Sequence, residues 1–496
     1  MESRIVTARI AGWLGAEPGA GRALKKRFGI QAGAGIAYPR ISMVEEDLSS
    51  PLVRSIDDLE AYFHAGSKPR EAWRIGVEYE KPVVNAATGE AVPYDGPCGI
   101  RRLLEEMLAH SQHWEGVHEG DLLIALKDGL ASITLEPGGQ FEMSGQQCES
   151  LHCVNDELQR HVNEILDVGE VLGLRFLGLG ITPKTPLESI PWMPKRRYRI
   201  MREIMSRTGQ LGTRMMGQTA TVQGNFDYLD ERDAVAKMRI GMAMAPVLVA
   251  VSANSPIVDG AATGYQSFRS QIWTDTDPAR CGFLPFVFAT DSLFRAYTEY
   301  ALDVPMYFIA RRGDLREVGG ITFRQFLEAG FEGELATMSD WALHLTTLFP
   351  EVRLKSYLEI RSADSQPVDL MLATPALMKG IFYDADCLAA AGDTVREWTA
   401  SDLPLLQHEA ARHGLAAKWR RHTLADYANE LLEIGRAGLA RQRVLDSQGH
   451  DETIYLERLE QEVRERRNPA TRIIQNWEGT WHRQIDRLIE ASAYRR

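Results

Sequence analysis

The sequence predicts an α+β protein in which a curved antiparallel sheet carries a chemically active concave face. Two observations predict this class. Four segments alternate polar and apolar residues with a period of two, which is typical of strands whose two faces meet different surroundings. Elsewhere in the chain, apolar residues recur at helical spacing.

The first polar-faced strand spans residues 73–80. Glu78 and Glu80 share one face, while Ile75, Val77 and Tyr79 share the other. Two carboxylates this close disfavour joint ionisation unless a cation lies between them. The segment therefore predicts a strand that binds a cation.

Two further segments carry oxygen donors. Residues 133–143 hold Glu136, Gln140 and Glu142 around a Pro-Gly-Gly sequence, which indicates a bulge or a close backbone approach. Residues 219–228 place four polar side chains on one face: Thr221, Gln223, Asn225 and Asp227.

The fourth segment, residues 353–361, is predicted to be one half-buried strand. Its odd positions are all polar: Arg353, Lys355, Tyr357, Glu359 and Arg361. A solvated edge strand is one interpretation. Three cations around one carboxylate are unusual for a solvated face, however, and phosphate binding would explain them.

Together, the four segments predict a site for metal ions and phosphates. The predicted metal ligands are Glu78, Glu80, Glu136, Glu142, Gln223 and Glu359. Carboxylate and amide oxygens without Cys or His suit Mg²⁺, with Mn²⁺ as the alternative. Arg353, Lys355 and Arg361 would then contact phosphates. No G-x-x-x-x-G-K-[ST] sequence is present, which excludes a P-loop nucleotide site.

Zinc is disfavoured by the cysteine spacing. Cys148 and Cys153, with His152 beside them, lack a fourth ligand at a convincing spacing, so we predict buried thiols instead. Five cysteines in 496 residues argue against a disulfide framework and favour a reducing compartment.

Several stretches predict helices with one apolar face. The spacing predicts helices around residues 100–108 and 158–166. Thr423 with Asp426 predicts a capping box that opens another helix. Residues 453–467 are predicted to be helical and to stop near Asn468 and Pro469.

Composition limits the class of protein. A net charge of −12 argues against nucleic-acid binding, and the 44% hydrophobic content is typical of a soluble globular protein. The most apolar run, residues 240–253, is short and predicts a buried helix or strand instead of a membrane span. Residues 1–49 are predicted to be a mobile extension, with a transit-like segment within residues 1–40 as the alternative.

The motifs resemble those of the plant and α-proteobacterial type of glutamate–cysteine ligase. The resemblance runs from about residue 50 to the C-terminus, through eight motifs in order: residues 73–81, 135–142, 193–198, 221–225, 253–256, 269–277, 303–308 and 349–361. It implies a glutamine-synthetase-like fold, with the curved antiparallel sheet cupping the active site and helices packed outside. Residues 50–496 would form this catalytic domain, with a helical C-terminal region.

The resemblance also implies roles for individual residues. The substrate-binding residues would be Arg197, Arg269, Tyr307, Thr221, Asn225 and Trp273. Among these, the two arginines would hold glutamate. Arg353, Lys355 and Arg361 would be the catalytic phosphate contacts, and the six oxygen ligands would form the Mg²⁺ shell.

The implied reaction joins the γ-carboxylate of glutamate to the amino group of cysteine, the first step of glutathione synthesis. ATP is a substrate that phosphorylates the γ-carboxylate, and the amine then displaces phosphate. Arg361 and Lys355 would stabilise the transferred oxygens, and no general base is identified.

Four positions depart from the family pattern. Tyr79 and Pro82 stand near the glutamate pocket in place of a His and an aromatic residue. Asn155 and Leu372 stand at the positions of the plant redox cysteines, which predicts that oxidants and reductants leave activity nearly unchanged.

Other functions remain as alternatives. A related γ-glutamyl ligase could use another amine, and a non-catalytic binding homologue is the rival from another class. A calcium-binding structural domain would show D-x-[DN]-x-[DN]-G spacing, which is absent. The predicted partners are small molecules, without nucleic acid or membrane, for a cytoplasmic monomer or homodimer; a plastid-like organelle is the alternative location.

Overall fold

The computed structural model describes residues 50–496, so the predicted extension at residues 1–49 lies outside the described residues. The strands are β1 (Ile75–Lys81), β2 (Val83–Asn85), β3 (Glu115–Glu119), β4 (Leu122–Asp128), β5 (Ala131–Leu135), β6 (Phe141–Ser144), β7 (Leu174–Phe176), β8 (Val222–Phe226), β9 (Ile257–Val258), β10 (Ala261–Ala262), β11 (Cys281–Gly282), β12 (Phe308–Arg311), β13 (Asp314–Glu317), β14 (Phe349–Pro350), β15 (Val352–Leu354), β16 (Leu358–Ile360), β17 (Lys418–Trp419) and β18 (His422–Thr423).

Helices precede, separate and follow these strands along the sequence. They are α1 (Ile56–Ala65), α2 (Ile100–His110), α3 (Leu151–Leu172), α4 (Arg196–Thr208), α5 (Gly212–Gln218), α6 (Glu231–Ser252), α7 (Phe268–Trp273), α8 (Leu293–Asp303), α9 (Phe323–Ala329), α10 (Met338–Leu345), α11 (Ala373–Phe382), α12 (Ala385–Val395), α13 (Leu403–His413), α14 (Leu424–Gln442), α15 (Glu457–Arg464), α16 (Pro469–Glu478) and α17 (Ile485–Ser492).

Eight strands form one antiparallel sheet, in the order β15–β16–β8–β1–β6–β5–β4–β3. This confirms the predicted α+β class. On β1, Ile75, Val77 and Tyr79 are buried, and the strand contacts α3. That packing leaves the face of Glu78 and Glu80 for a site.

The predicted single strand at residues 353–361 is wrong. The chain turns at residues 355–357, where the Lys355 amide donates to the Tyr357 carbonyl at 2.8 Å, and β15 and β16 pair as a hairpin. Arg353 lies opposite Glu359 in this hairpin. Paired residues of antiparallel strands share a face as alternate residues of one strand do, so the charged side chains still converge.

Residues 133–143 also form a hairpin, made of β5, β6 and a turn between them. Gly139 has a φ of +82°, and a Cβ at Gly138 would lie 2.0 Å from the carbonyl oxygen of Gly217 in α5. The predicted close backbone approach is therefore confirmed. It holds the turn that carries Glu136 against α5.

The predicted helices at 100–108 and 158–166 are confirmed within α2 and α3. The capping box of Thr423 and Asp426 opens α14, as predicted. Residues 452–464 are helical, and Asn468 caps the next helix, which begins at Pro469.

Helix α6 lies at the centre of the core and contacts β15, β16 and the helices α12, α13 and α14. Among the described residues, it is the one helix long and apolar enough to cross a membrane, yet most of it is buried inside the protein. The run at residues 240–253 is thus a buried helix, one of the two forms predicted for it.

Cys148 and Cys153 form a disulfide, so the prediction of buried free thiols is wrong. The intervening turn brings their Cα atoms to 5.7 Å, within the range that a disulfide spans. Cys148 also exchanges backbone hydrogen bonds with Ile75, at 2.9 and 2.8 Å. The disulfide therefore joins the start of β1 to the first turn of α3. The predicted insensitivity of activity to redox agents stays a prediction.

Candidate active site

One face of the sheet lines a cavity of about 100 Å³. Its walls come from β1, β5, β6, β8 and β15, together with α4, α5 and α7. The predicted site residues that line it are Glu78, Glu80, Glu136, Glu142, Gln223, Thr221, Arg197, Arg269, Trp273, Arg353 and Arg361. Residues far apart in the sequence are thus brought to one place.

Strand register explains why the carboxylates converge. Glu80 on β1 lies opposite Glu142 on β6, and Glu78 lies opposite Gln223 on β8. Paired residues of antiparallel strands have Cβ atoms roughly 5 Å apart on the same face. A single patch of oxygen atoms therefore spans three strands.

Hydrogen bonds fix the two carboxylates of β1. Glu78 accepts from Asn225 Nδ2 at 2.9 Å and from Gln223 Nε2 at 3.2 Å. Glu80 accepts from the backbone amide of Thr221 at 3.0 Å. Asn225 does not line the cavity, so it orients Glu78 from behind.

The other two carboxylates have hydroxyl partners. Thr134 donates to Glu142, and the Tyr198 hydroxyl donates to Glu136 at 3.3 Å. Lys195 is buried nearby, and burial lowers its pKa to about 8 although Glu136 opposes that shift. Each carboxylate of the patch is therefore oriented by a neighbour.

The patch carries more negative charge than its surroundings favour. Burial, together with repulsion from neighbouring carboxylates, raises the pKa of Glu78 and of Glu142 to about 7. The same causes raise the pKa of Glu80 well above its ordinary value. Burial raises the pKa of Glu136 as well, although Lys195 opposes that shift. A bound cation would relieve this repulsion.

Glu359 differs from the other predicted metal ligands, because it is fully buried and does not line the cavity. It accepts from Arg353 at 2.5 Å, lies 2.9 Å from Lys355 Nζ and pairs with Arg361. Burial alone would raise its pKa, but the three cations outweigh burial and hold the pKa well below its ordinary value. Glu359 is therefore a counter-ion for three cations and not an accessible metal ligand.

The three cations are not equivalent. Arg353 and Arg361 line the cavity, whereas Lys355 is buried and donates to the Tyr357 hydroxyl at 3.1 Å. Arg361 also donates to Gln223, so it lies between the acidic patch and Glu359. Direct contact with a ligand in the cavity is open to the two arginines only.

Some of the predicted substrate residues line the cavity and others do not. Arg269 Nη2 donates to the Arg361 carbonyl at 3.1 Å, while its buried Nε has no hydrogen-bond partner within residues 50–496. The buried Nε of Arg197 likewise has none there. The structure does not bring Tyr307 to the cavity: its ring lies 3.9 Å from the Arg280 guanidinium carbon, and its hydroxyl lies 3.7 Å from Met205 Sδ.

Several cavity residues were missed as individual site residues. Tyr198 and its buried neighbour Lys195 belong to the motif at residues 193–198, which was the available signal. Met201, Met215 and Met216 also line the cavity. They carry no such signal, because methionines at helical spacing are ordinary core residues.

Comparison with known proteins places the chain in a family. The model of glutamate-cysteine ligase family 2 matches residues 74–491. The chain belongs to glutamate–cysteine ligase family 2. This confirms the resemblance drawn from the sequence motifs, and it makes the protein a member of a family of ligases.

Two plant relatives agree with this assignment. The chain is 42% identical to the chloroplastic glutamate–cysteine ligase of Brassica juncea, over 90% of this chain and 85% of that protein. It is 39% identical to the chloroplastic glutamate–cysteine ligase A of Oryza sativa subsp. japonica, over 99% of both. A crystal structure of the Francisella tularensis glutamate–cysteine ligase in complex with AMP has a TM-score of 0.48, at 14% identity, and the match covers 85% of this chain and 87% of that one.

Replacing Glu359 by Gln should destabilise this ligase and impair it. The change leaves three cations, of which Arg353 and Lys355 are buried, without their counter-ion, which costs about 3–5 kcal/mol in the free energy of unfolding. Turnover should fall by about two orders of magnitude. Urea unfolding and steady-state kinetics measure both effects, with Glu317→Gln, an exposed glutamate, as the control. Unfolding at the wild-type urea concentration, or near-normal turnover, would contradict the role given to Glu359.

Mg²⁺ should stabilise the protein more at pH 8 than at pH 6. With pKa values of about 7, Glu78 and Glu142 are mostly protonated at pH 6 and ionised at pH 8. When folding raises the pKa of a carboxyl group, the folded protein loses stability as the pH rises from the unfolded to the folded pKa of that group. Mg²⁺ that binds the ionised carboxylates restores this lost stability. The rise in melting temperature with Mg²⁺ measures the effect.

The control for this experiment is Glu433→Gln, on the exposed face of α14. That variant should keep the full Mg²⁺ effect, whereas Glu142→Gln should lose most of it. A melting temperature that rises equally at both pH values would show that these carboxylates do not hold the ion.

Proposed function

We propose that this protein is an ATP- and Mg²⁺-dependent ligase. It joins the γ-carboxylate of L-glutamate to the amino group of L-cysteine, the first step of glutathione biosynthesis. One observation carries the proposal: in a member of this family, a single cavity combines a carboxylate patch with the guanidinium groups of Arg269, Arg353 and Arg361. Such a cavity suits a metal-bound nucleotide and an acidic substrate.

The donor set fits Mg²⁺, with Mn²⁺ as the alternative. Among residues 50–496, no three Asp, Glu, His or Cys side chains are grouped closely enough to hold an ion. The raised pKa values of the patch nevertheless favour a cation, which Glu78, Glu80, Glu136 and Glu142 would hold with Gln223. The ion held by these residues would supply positive charge that offsets the charge of the phosphates during phosphoryl transfer.

The basic residues would act on the transferred phosphoryl group. Arg361 and Arg353 line the cavity and are held in place by Glu359, so their donors are oriented before substrate binds. Lys355 would act as a positioning residue, since it reaches Glu359 and not the cavity. The amine of cysteine would then attack γ-glutamyl phosphate and displace phosphate.

Glutamate would be held at the α7 side of the cavity. Arg269 and Arg197 would bind its carboxylates, and both line the cavity together with Thr221 and Trp273. Asn225 would contribute by orienting Glu78. The position of Tyr307 against Arg280 supports a structural role in place of substrate contact.

The wider context of the enzyme follows from the same proposal. Residues 50–496 would be its catalytic domain, in which the C-terminal region after β16 is mainly helical. The substrates are small molecules, and a monomer or homodimer suffices for a cavity built from one chain. A cytoplasmic location stays our prediction, while the chloroplastic names of the plant relatives support the transit-segment alternative.

The product identifies the reaction. Incubation with ATP, Mg²⁺, L-glutamate and L-cysteine should give γ-glutamylcysteine and equal amounts of ADP and phosphate, measured by mass spectrometry and a phosphate assay. A panel of other amines in place of cysteine tests the acceptor. Faster turnover with another amine would indicate a related γ-glutamyl ligase, and no product with any amine would contradict the proposal.

Arg269→Lys should raise the KM for glutamate by about 10-fold or more, because lysine cannot bind a carboxylate with two parallel hydrogen bonds. The KM for ATP should change little. Arg207→Lys, on the exposed face of α4, is the matched control. A joint rise of both KM values with a lower melting temperature would make Arg269 a structural residue.

A further inference from the structure

A small recess adjoins the active-site cavity and shares four of its lining residues: Arg269, Trp273, Phe349 and Arg361. Its other walls are Ser270, Pro350, Glu351, Ser362 and Gln407. The recess has a volume of about 10 Å³, which is room for one group the size of a water molecule. It lies between α7, α13 and the segment around β14.

Four of the lining side chains have a buried polar atom without a hydrogen-bond partner within residues 50–496. These atoms are Arg269 Nε, Ser270 Oγ, Trp273 Nε1 and Gln407 Oε1. Arg269, Ser270 and Gln407 are each at most 4% exposed. Buried polar atoms in folded proteins nearly always have a partner, so this concentration around one recess indicates a ligand.

The unpartnered atoms are of complementary kinds. Arg269 Nε and Trp273 Nε1 can only donate, whereas Gln407 Oε1 can only accept. Glu351 adds an anionic group: it accepts from Ser362 Oγ at 2.6 Å and from Gln407 Nε2 at 3.1 Å. A carboxylate has about four acceptor sites, so Glu351 keeps capacity for another donor. One small recess thus offers donors to an anion and acceptors to a cation.

We propose that this recess receives the α-ammonium group of the substrate glutamate, with Glu351 and Gln407 as its acceptors. An ammonium group has about the size of a water molecule and carries three donors. The α-carboxylate is attached to the same carbon atom, so it would meet Arg269, which lines both the recess and the cavity. The rest of the glutamate side chain then extends into the cavity.

This assignment rests on the proposed function, and it adds a physical basis for selecting an amino acid as the substrate. Arginines alone would accept any dicarboxylate of suitable length. A recess in which Glu351 and Gln407 offer acceptors close to Arg269 selects for a substrate with an amino group next to its carboxylate. Glu351 and Gln407 would therefore distinguish glutamate from the same molecule without its amino group, which is glutarate.

Glu351→Gln tests the proposal, since it removes the charge and keeps the shape. The KM for L-glutamate should rise by about 10-fold or more, for a lost charge-assisted hydrogen bond. The inhibition constant of glutarate, measured as a competitor of glutamate, should stay within about twofold, as should the KM for ATP. Gln407→Leu should likewise raise the KM for L-glutamate relative to the inhibition constant of glutarate. Glu409→Gln, on the same helix as Gln407, should change none of these values.

Two results would overturn the proposal. Equal weakening of glutamate and glutarate would show that Glu351 only supports local structure, and unchanged binding of both would show that the recess holds water alone. Melting temperatures confirm that each variant folds. Failure of glutamate as the proposed donor is separate, because the wild type would then not convert glutamate at all. The same comparison would then use whichever amino acid is accepted and its des-amino counterpart.

Discussion

The organisation of the site depends on one buried carboxylate that holds three cations together. Arg353, Lys355 and Arg361 come from a single hairpin, and their mutual repulsion would drive them apart without Glu359. Burying such a network costs desolvation energy, so its value lies in position more than in stability. With Glu359 in place, two guanidinium groups are fixed at the cavity wall before any substrate arrives.

The sheet therefore carries two kinds of glutamate on one face. Glu359 is neutralised within the protein, whereas burial and the repulsion of neighbouring carboxylates outweigh the attraction of Lys355 for Glu78 and of Lys195 for Glu142. A fold optimised for stability alone would remove that imbalance. Here the imbalance distinguishes two parts of the site. The Glu359 network is balanced in the free protein, whereas the charges of Glu78 and Glu142 are balanced only when a cation binds.

The sequence allowed the chemistry of the site to be predicted better than its geometry. Alternation with period two identified Glu78, Glu80 and Glu142, because parity along a strand determines the face. The same alternation did not reveal the turn after Arg353. A hairpin that places Glu359 opposite Arg353 gives the same polar and apolar alternation as one continuous strand. Glu351 and Gln407 were not predicted, because no periodicity relates a residue beside β15 to one on α13.

Helix α6 has a consequence for how the chain is made. Its apolar surface is covered by α12, α13 and α14, which are all later in the sequence. Synthesis proceeds at roughly 5–20 residues per second, so residues 253–442 follow α6 over tens of seconds. During that interval the apolar surface of α6 is not covered by α12, α13 and α14, and exposed apolar surface favours aggregation. The order of elements along the chain therefore makes the burial of α6 depend on completion of the later helices that cover it.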